Sequence, residues 1–148
     1  MTTLQAIVEA ARTAVAAISS EDGQGLFREH KTNEPFDAAP IGGNNGFEVV
    51  VRNEKLTGGF GQYLQREYQF DMVVRLGLLP GGTEPTRETN RTEDLEVVVD
   101  KLEWTAWPVG THLVILEKVE TDKTNPNWWI AELTFKVVCV GLNRVPAP

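Results

Sequence analysis

The sequence predicts an α+β domain in which a mainly antiparallel sheet of about four strands carries two helices on one face. Four segments have the residue types of strands, and in most of them apolar residues occupy every second position. Two other segments repeat apolar residues every three or four positions, which is typical of amphipathic helices. No linker divides the 148 residues, so we expect a single domain spanning residues 1–148.

The most regular strand is Tyr68 to Leu79, which we expect at the centre of the sheet. Successive side chains of a strand point to opposite faces, so every second residue can share one buried surface. Those residues are Tyr68, Phe70, Met72, Val74, Leu76 and Leu78. The opposite set begins polar at Gln69 and becomes apolar towards Leu79. We therefore expect another element or another subunit to cover the second half of this strand on its other side.

The first helix is predicted at the start of the chain. Thr2 or Thr3 can cap it, and apolar residues recur at spacings of three and four as far as about Ile18. Residues 24–45 hold two prolines and the run IGGNNG, and they indicate no clear element. The next segment, GFEVVVR at 46–52, has the alternation of a strand.

The second helix is predicted after a polar segment, PGGTEPTRETNR. Thr92 can cap this helix, and Glu93 and Asp94 then occupy the first turn, where the helix dipole favours negative charge. The helix ends near Trp104, and residues 107–110 form a turn. Two strands, HLVILEKV and WWIAELTFKVVCV, follow and form an antiparallel hairpin around ETDKTNPN.

The segment from Asn53 to Glu67 links the first predicted strand to the central one. It is rich in glycine, but it lacks the Lys and Ser or Thr of a phosphate-binding loop and the strand–loop–helix order of a dinucleotide site. A mobile hairpin tip is the simpler interpretation. The alternative is an aromatic-tipped loop that docks on another protein through Phe60, Tyr63 and Leu64.

Composition excludes several classes of function. With 14 basic and 21 acidic residues the formal net charge is -7, which disfavours tight binding to nucleic acid. Cys139 is the single cysteine, so no intramolecular disulfide forms and a reducing compartment fits best. The sequence shows neither a signal peptide nor a membrane-spanning run, so we expect a soluble protein made in the cytosol, with no membrane partner.

Catalytic chemistry has little support in the sequence. The only histidines, His30 and His112, lie at spacings that suit neither a metal site nor a nucleophilic triad. His112 is expected at a surface or strand edge, and Cys139 in the core. We therefore predict a protein that is not an enzyme, with no catalytic, cofactor-binding or metal-binding residue.

The four tryptophans are more informative. Trp128 and Trp129 are adjacent in a predicted strand, so without a bulge they must point to opposite faces, and one of them reaches the rim or a partner. Trp107 and Trp128 are candidates for a subunit interface, since tryptophan is enriched at interface hot spots. Packing in the core and at its rim is the simpler explanation. A ligand pocket lined by Trp104 and Trp107 is a third.

The order of these elements resembles the tail terminator proteins of long-tailed, lambda-like bacteriophages. The resemblance lies in an N-terminal amphipathic helix, the strand YQFDMVVRLGLL, the helix TEDLEVVVDKLEW and a closing strand of the form W-x-A-x-L-x-F-x-V. It spans nearly the whole chain and is one of pattern, with no residue-level signature. It implies a homo-hexameric ring in the virion that caps the major tail tube protein, stops its polymerisation and offers a surface to the head-side connector.

Assembly would take place in the host cytoplasm, and double-stranded DNA would pass through the lumen without specific binding, which suits an acidic protein. Two alternatives remain open. One is a head-completion or neck adaptor protein, or another tail-associated ring protein. The other is a small-molecule binding module that uses the tryptophan cluster and a cavity under the sheet.

Overall fold

The computed structural model describes residues 3–18, 27–30, 46–58, 66–78, 84–122 and 129–141. These residues form α1 (Thr3–Ala16), β1 (Arg28–Glu29), β2 (Gly46–Gly58), β3 (Arg66–Leu78), α2 (Glu84–Glu103), β4 (Thr111–Asp122) and β5 (Trp129–Gly141). The strands make one sheet in the order β1-β2-β3-β5-β4. β1 runs parallel to β2, and all other neighbouring pairs are antiparallel.

The predicted α+β class is confirmed, with β3 at the centre of the sheet and the final hairpin antiparallel. The structure has five strands among its described residues rather than about four, because β1 was not predicted. β1 is two residues long and pairs only with Gly46 and Phe47. Two residues are too few to show a period, so the sequence pattern could not reveal this strand.

One face of the sheet and both helices form a single hydrophobic core. The alternation predicted for β3 is confirmed by the burial of Phe70, Met72, Val74 and Leu76. On the neighbouring strands the buried residues of this core are Phe47, Val49, Trp129, Ala131, Leu133, Phe135, Val137 and Cys139, and on the helices they are Ile7, Val8, Ala11, Ala14, Val15, Leu95, Val98 and Leu102. We call this side of the sheet the helix face and the opposite side the charged face.

α1 is close to its predicted extent, although it ends at Ala16 rather than near Ile18. Thr3 is the first residue of α1, and its hydroxyl donates a hydrogen bond to the Val140 carbonyl at 3.3 Å. The start of the helix is therefore attached to the end of β5.

α2 begins at Glu84, so the prediction of a helix capped by Thr92 was wrong. Thr92 and Asp94 lie more than two turns inside the helix, and the helix-dipole argument for Asp94 does not apply. A helix anchored by buried residues such as Val98 can extend into a polar segment, because each added residue gains a backbone hydrogen bond without a new nucleus. Pro85 lies in the first turn, where its missing N–H is not needed.

The loop predicted between Asn53 and Glu67 is strand at both ends. β2 continues through Gly58, and β3 begins at Arg66. Asn53 has a φ of 56°, and the pairing register shifts beside it, which indicates a bulge. Asparagine tolerates this left-handed conformation better than most residues, so the strand bends there and continues.

Candidate interface surface

Most of the predicted interface residues lie outside the described residues, namely Phe60, Tyr63, Leu64 and Trp128. Trp107 is described, and it is half-buried and packed against the core. Trp129 is buried in the core, whereas Trp104 is 87% exposed. The described residues expose large apolar side chains on the edge strand β4 and at the corner that precedes it, and also at Leu56 of β2 and Val97 of α2.

β4 is the last strand of the sheet and pairs, among the described residues, only with β5. Leu113 is opposite Val138, and Ile115 is opposite Lys136, which places both on the charged face. Leu113 is 42% exposed and Ile115 is 50% exposed. β4 carries charges and bulges, which usually protect a long edge strand, but its first half also exposes a leucine and an isoleucine and is therefore a candidate docking surface.

Two bulges interrupt β4, one between Thr111 and Leu113 and one between Leu116 and Lys118. The second bulge reverses which residues point to which face. Val119 consequently pairs with Leu133 on the helix face, where it lines a groove with residues of α2. Apolar exposure on the charged face is thus confined to the first half of β4.

The charged face carries rows of side chains that cross the strands. In one row, Arg75 of β3 lies between Glu48 of β2 and Glu132 of β5. Arg75 Nη1 donates to Glu48 Oε1 at 2.8 Å, and Arg75 Nε lies 3.1 Å from Glu132 Oε1. The second contact has the distance of an ion pair but not the geometry of a hydrogen bond. Alternating charges on adjacent strands stabilise this row.

Another row contains Arg52, Asp71 and Lys136, which again alternate in sign across three strands. Between the two rows lie Val50, Val73 and Thr134. Val73 is 1% exposed, although it does not belong to the helix-face core. Val73 lies in the first half of the predicted central strand, and its burial shows no covering element, so the expectation that another element or subunit covers the second half stays a prediction.

The corner before β4 exposes two further large side chains, Trp104 at the end of α2 and the fully exposed Val109. Trp104 borders an open groove of about 570 Å³ along α1, and alanines make up half of its lining. The groove does not include Trp107, so the two tryptophans do not line a common pocket in the way that the sequence suggested. Gly110 closes the corner with a φ of 98°, and its carbonyl accepts a hydrogen bond from Val140 N–H.

An exposed ion pair on β4 and the buried cysteine of β5 have shifted pKa values. Lys118 donates to Glu120 across 2.9 Å on the exposed side of β4, and this hydrogen bond raises the pKa of Lys118 and lowers that of Glu120. Burial raises the pKa of the Cys139 thiol, which makes it a poor nucleophile. Within the described residues, no three His, Cys, Asp or Glu side chains come together as a metal site. In the same residues, no helix has the length and apolarity needed to span a membrane.

Comparison with protein-family models gives no match, and comparison with curated proteins gives no similar sequence.

Sequence reasoning missed Leu113, Ile115 and Val109 as surface residues. A signal was present, because HLVILEKV has apolar residues at both odd and even positions. A strand with apolar residues on both faces is either covered on both sides or exposes one apolar face. The position of the strand, in the centre or at the edge of the sheet, decides between these two cases.

Proposed function

We propose that this protein is a phage tail terminator, whose copies form a hexameric ring that caps the tail tube and stops its polymerisation. The single observation that carries the assembly part of this proposal is the exposed apolar half of edge strand β4. Such a strand offers both side-chain area and peptide hydrogen bonds to another protein. The terminator role within an assembly is supported by the resemblance in element order.

The two edges of the sheet support a ring rather than a two-fold dimer. One edge is β4, and the other is β2 with the two-residue β1 at its end. Contacts between unlike surfaces are heterologous, and they close into a ring when the rotation between copies allows it. The formal net charge of -7 suits a ring that DNA crosses without being held, because like charges repel.

Deleting the gene from the phage that encodes this protein tests the role directly. Tails that grow beyond their normal length, seen by negative-stain electron microscopy, are the expected result. Tails of normal length that fail to join heads would instead support a neck adaptor. Light scattering at several concentrations, with microscopy of the purified protein, measures the oligomer, for which we expect six copies.

The groove beside Trp104 favours a second candidate, a small-molecule binding module. Five alanines and one exposed indole in its lining would suit a flat ligand, to which Glu9 and Lys101 of the same groove would offer charged groups. A binder of this kind would remain a monomer, and its ligand would quench the fluorescence of Trp104. A Trp104→Phe variant that loses quenching while the protein stays monomeric would favour this candidate over the ring.

A further inference from the structure

The two edges of the sheet run in opposite directions. β2 is antiparallel to β3, β3 to β5, and β5 to β4, so β4 runs antiparallel to β2. Rotation about a ring axis preserves the direction of every strand relative to that axis. β4 of one copy therefore meets β2 of the next copy as an antiparallel neighbour beyond Phe47, where the pairing of β2 with β1 ends among the described residues.

The outer side of β2 is suited to accept a strand. Among the described residues, β1 pairs with β2 only at Gly46 and Phe47. His30 N–H donates to the Phe47 carbonyl at 2.7 Å on this outer side. Peptide groups alternate in direction along a strand, so those of Val49 and Val51 point to the same side. The same two side chains line a groove of about 520 Å³ between α1 and β2.

Charge selects one register between the two edges. In a continuous sheet, charged-face residues of β4 must lie opposite charged-face residues of β2 in the next copy. The possible registers therefore differ by steps of two residues. If the cross-strand rows of one copy continued straight into the next copy, Glu120 would lie opposite Glu48 and Ile115 opposite Arg52. A shift in one direction would set Lys118 opposite Arg52. Both registers place charges where they are repelled or desolvated.

A shift of two residues in the other direction removes these unfavourable contacts. This count skips one residue at the second bulge of β4, as the pairing of β4 with β5 does. The shift sets Ile115 opposite Val50 and Lys118 opposite Glu48. Leu113 then lies along the aliphatic part of Arg52, a side chain that can cover apolar surface while its charge stays in water. Apolar residues meet apolar residues, and Lys118 adds a cation next to Glu48 in the row of Glu48, Arg75 and Glu132 of the next copy.

We infer that the open edge of β4 binds the outer edge of β2 in a second copy of this chain, with Ile115 opposite Val50. The sheets of adjacent copies then form one continuous sheet around the ring. This inference rests on the proposed function, which supplies the closed ring. It adds which surfaces join the copies and in which register.

Cysteine cross-linking tests the register. Directly opposed residues of an antiparallel pair have Cα atoms about 4.5 or 5.5 Å apart, which is within the range that a disulfide spans. An Ile115→Cys protein is mixed with a Val50→Cys protein under mild oxidation, and the linked peptides are identified by mass spectrometry. Val97→Cys mixed with Val50→Cys is the matched control, because Val97 is an exposed valine on α2 rather than on an edge. The native Cys139 is buried in every variant.

The expected result is a cross-link between residues 50 and 115 that forms at least about tenfold faster than the control, as a high effective concentration requires. In the Val50→Cys/Ile115→Cys double variant, the same bond should give a ladder of covalent oligomers up to six. Rings without this cross-link would overturn the inference and leave the proposed function intact.

Mixing Ile115→Cys with Leu113→Cys tests the rival pairing of β4 with β4 of a second copy. Rapid cross-linking in that mixture would also overturn the inference. A ladder of 50–115 cross-links, together with tails of normal length after gene deletion, would uphold the inference and reject the terminator role.

Discussion

β3 and β4 are strands of 13 and 12 residues that each carry several apolar side chains, but their surroundings differ. β3 has a strand on each side, and Phe70, Met72, Val74 and Leu76 are buried. β4 has one neighbour among the described residues, and most of its residues are exposed. The comparison teaches that apolar content determines whether a segment can be buried, whereas its place in the sheet determines whether it is.

The charged residues of the two strands differ in the same way. Arg75 of β3 is held between Glu48 and Glu132, and only 16% of its side chain is exposed. Lys118 and Glu120 of β4 form their pair with both side chains 61% exposed. Ion pairs at exposed sites contribute little to stability, whereas the loss of one partner from a desolvated network leaves charges without compensation.

The largest contrast should come from the same leucine-to-alanine change in each strand. Leu76→Ala removes a fully buried side chain, and we expect the free energy of unfolding to fall by about 3 kcal/mol. Leu113→Ala removes an exposed side chain and should change it by less than about 1 kcal/mol. Urea unfolding followed by tryptophan fluorescence measures both. Equal losses would show that the two strands are packed alike.

A smaller effect is expected at the corner where the chain enters β4. Gly110→Ala would place a methyl group 2.5 Å from the Val140 carbonyl oxygen, in a left-handed backbone conformation that alanine disfavours. We expect unfolding to become easier by about 2 kcal/mol. Val109→Ala, at the adjacent and fully exposed position, is the control and should be close to neutral. A neutral Gly110→Ala would mean that β4 is not held to β5 through this turn.

The charge network gives the third test. Arg75→Met retains the length of the side chain but removes the cation between Glu48 and Glu132, and Glu132 keeps its 3.6 Å contact with Arg52. Since the site is half-desolvated, we expect a loss of about 1.5 kcal/mol in the free energy of unfolding. Lys118→Met on β4 should leave Tm unchanged. If the two variants behave alike in thermal unfolding, the network on β3 has no special role.

A substitution on the exposed surface of β4 should weaken assembly without affecting folding. Ile115→Lys adds a charge at an exposed position, so Tm should stay the same, but the dissociation constant between copies should rise about tenfold or more because the lysine would be desolvated opposite Val50. Val97→Lys makes the same change on α2 and should not affect the oligomer. Sedimentation velocity at several concentrations measures both. Unaltered assembly of Ile115→Lys would remove β4 from the interface.

The smallest effect concerns the exposed pair. The hydrogen bond from Lys118 holds the pKa of Glu120 below its ordinary value, so its contribution to stability is present at neutral pH and is lost as the pH falls through that lowered pKa. Lys118→Met should raise the pKa of Glu120 towards its ordinary value, as measured by carboxyl NMR titration of dilute protein. A Glu120 pKa that does not move would show that the pair does not persist in solution.

The sequence by itself determined the α+β class, the central position of β3 and the residues of β3 that share the helix face. These are local properties, because alternation along a single strand fixes which side chains point the same way. It did not determine the start of α2, since polar residues 84–91 carry no apolar stripe and the helix extends through them from its buried part. The candidate interface was predicted at residues 60, 63, 64, 107 and 128, whereas the described surface exposes Leu113 and Ile115.

Only the tertiary structure decided that β4 is an edge and that Val119 points to the helix face. The first depends on which strands pair, and β5 pairs with β3, more than 50 residues earlier in the chain, as well as with β4. The second depends on a bulge, which inserts one residue and reverses every side chain that follows it. Pairing between segments that are distant in the sequence determines both features. The backbone groups that join two strands are the same for every residue type, so the residues of one strand do not specify which strand lies beside it.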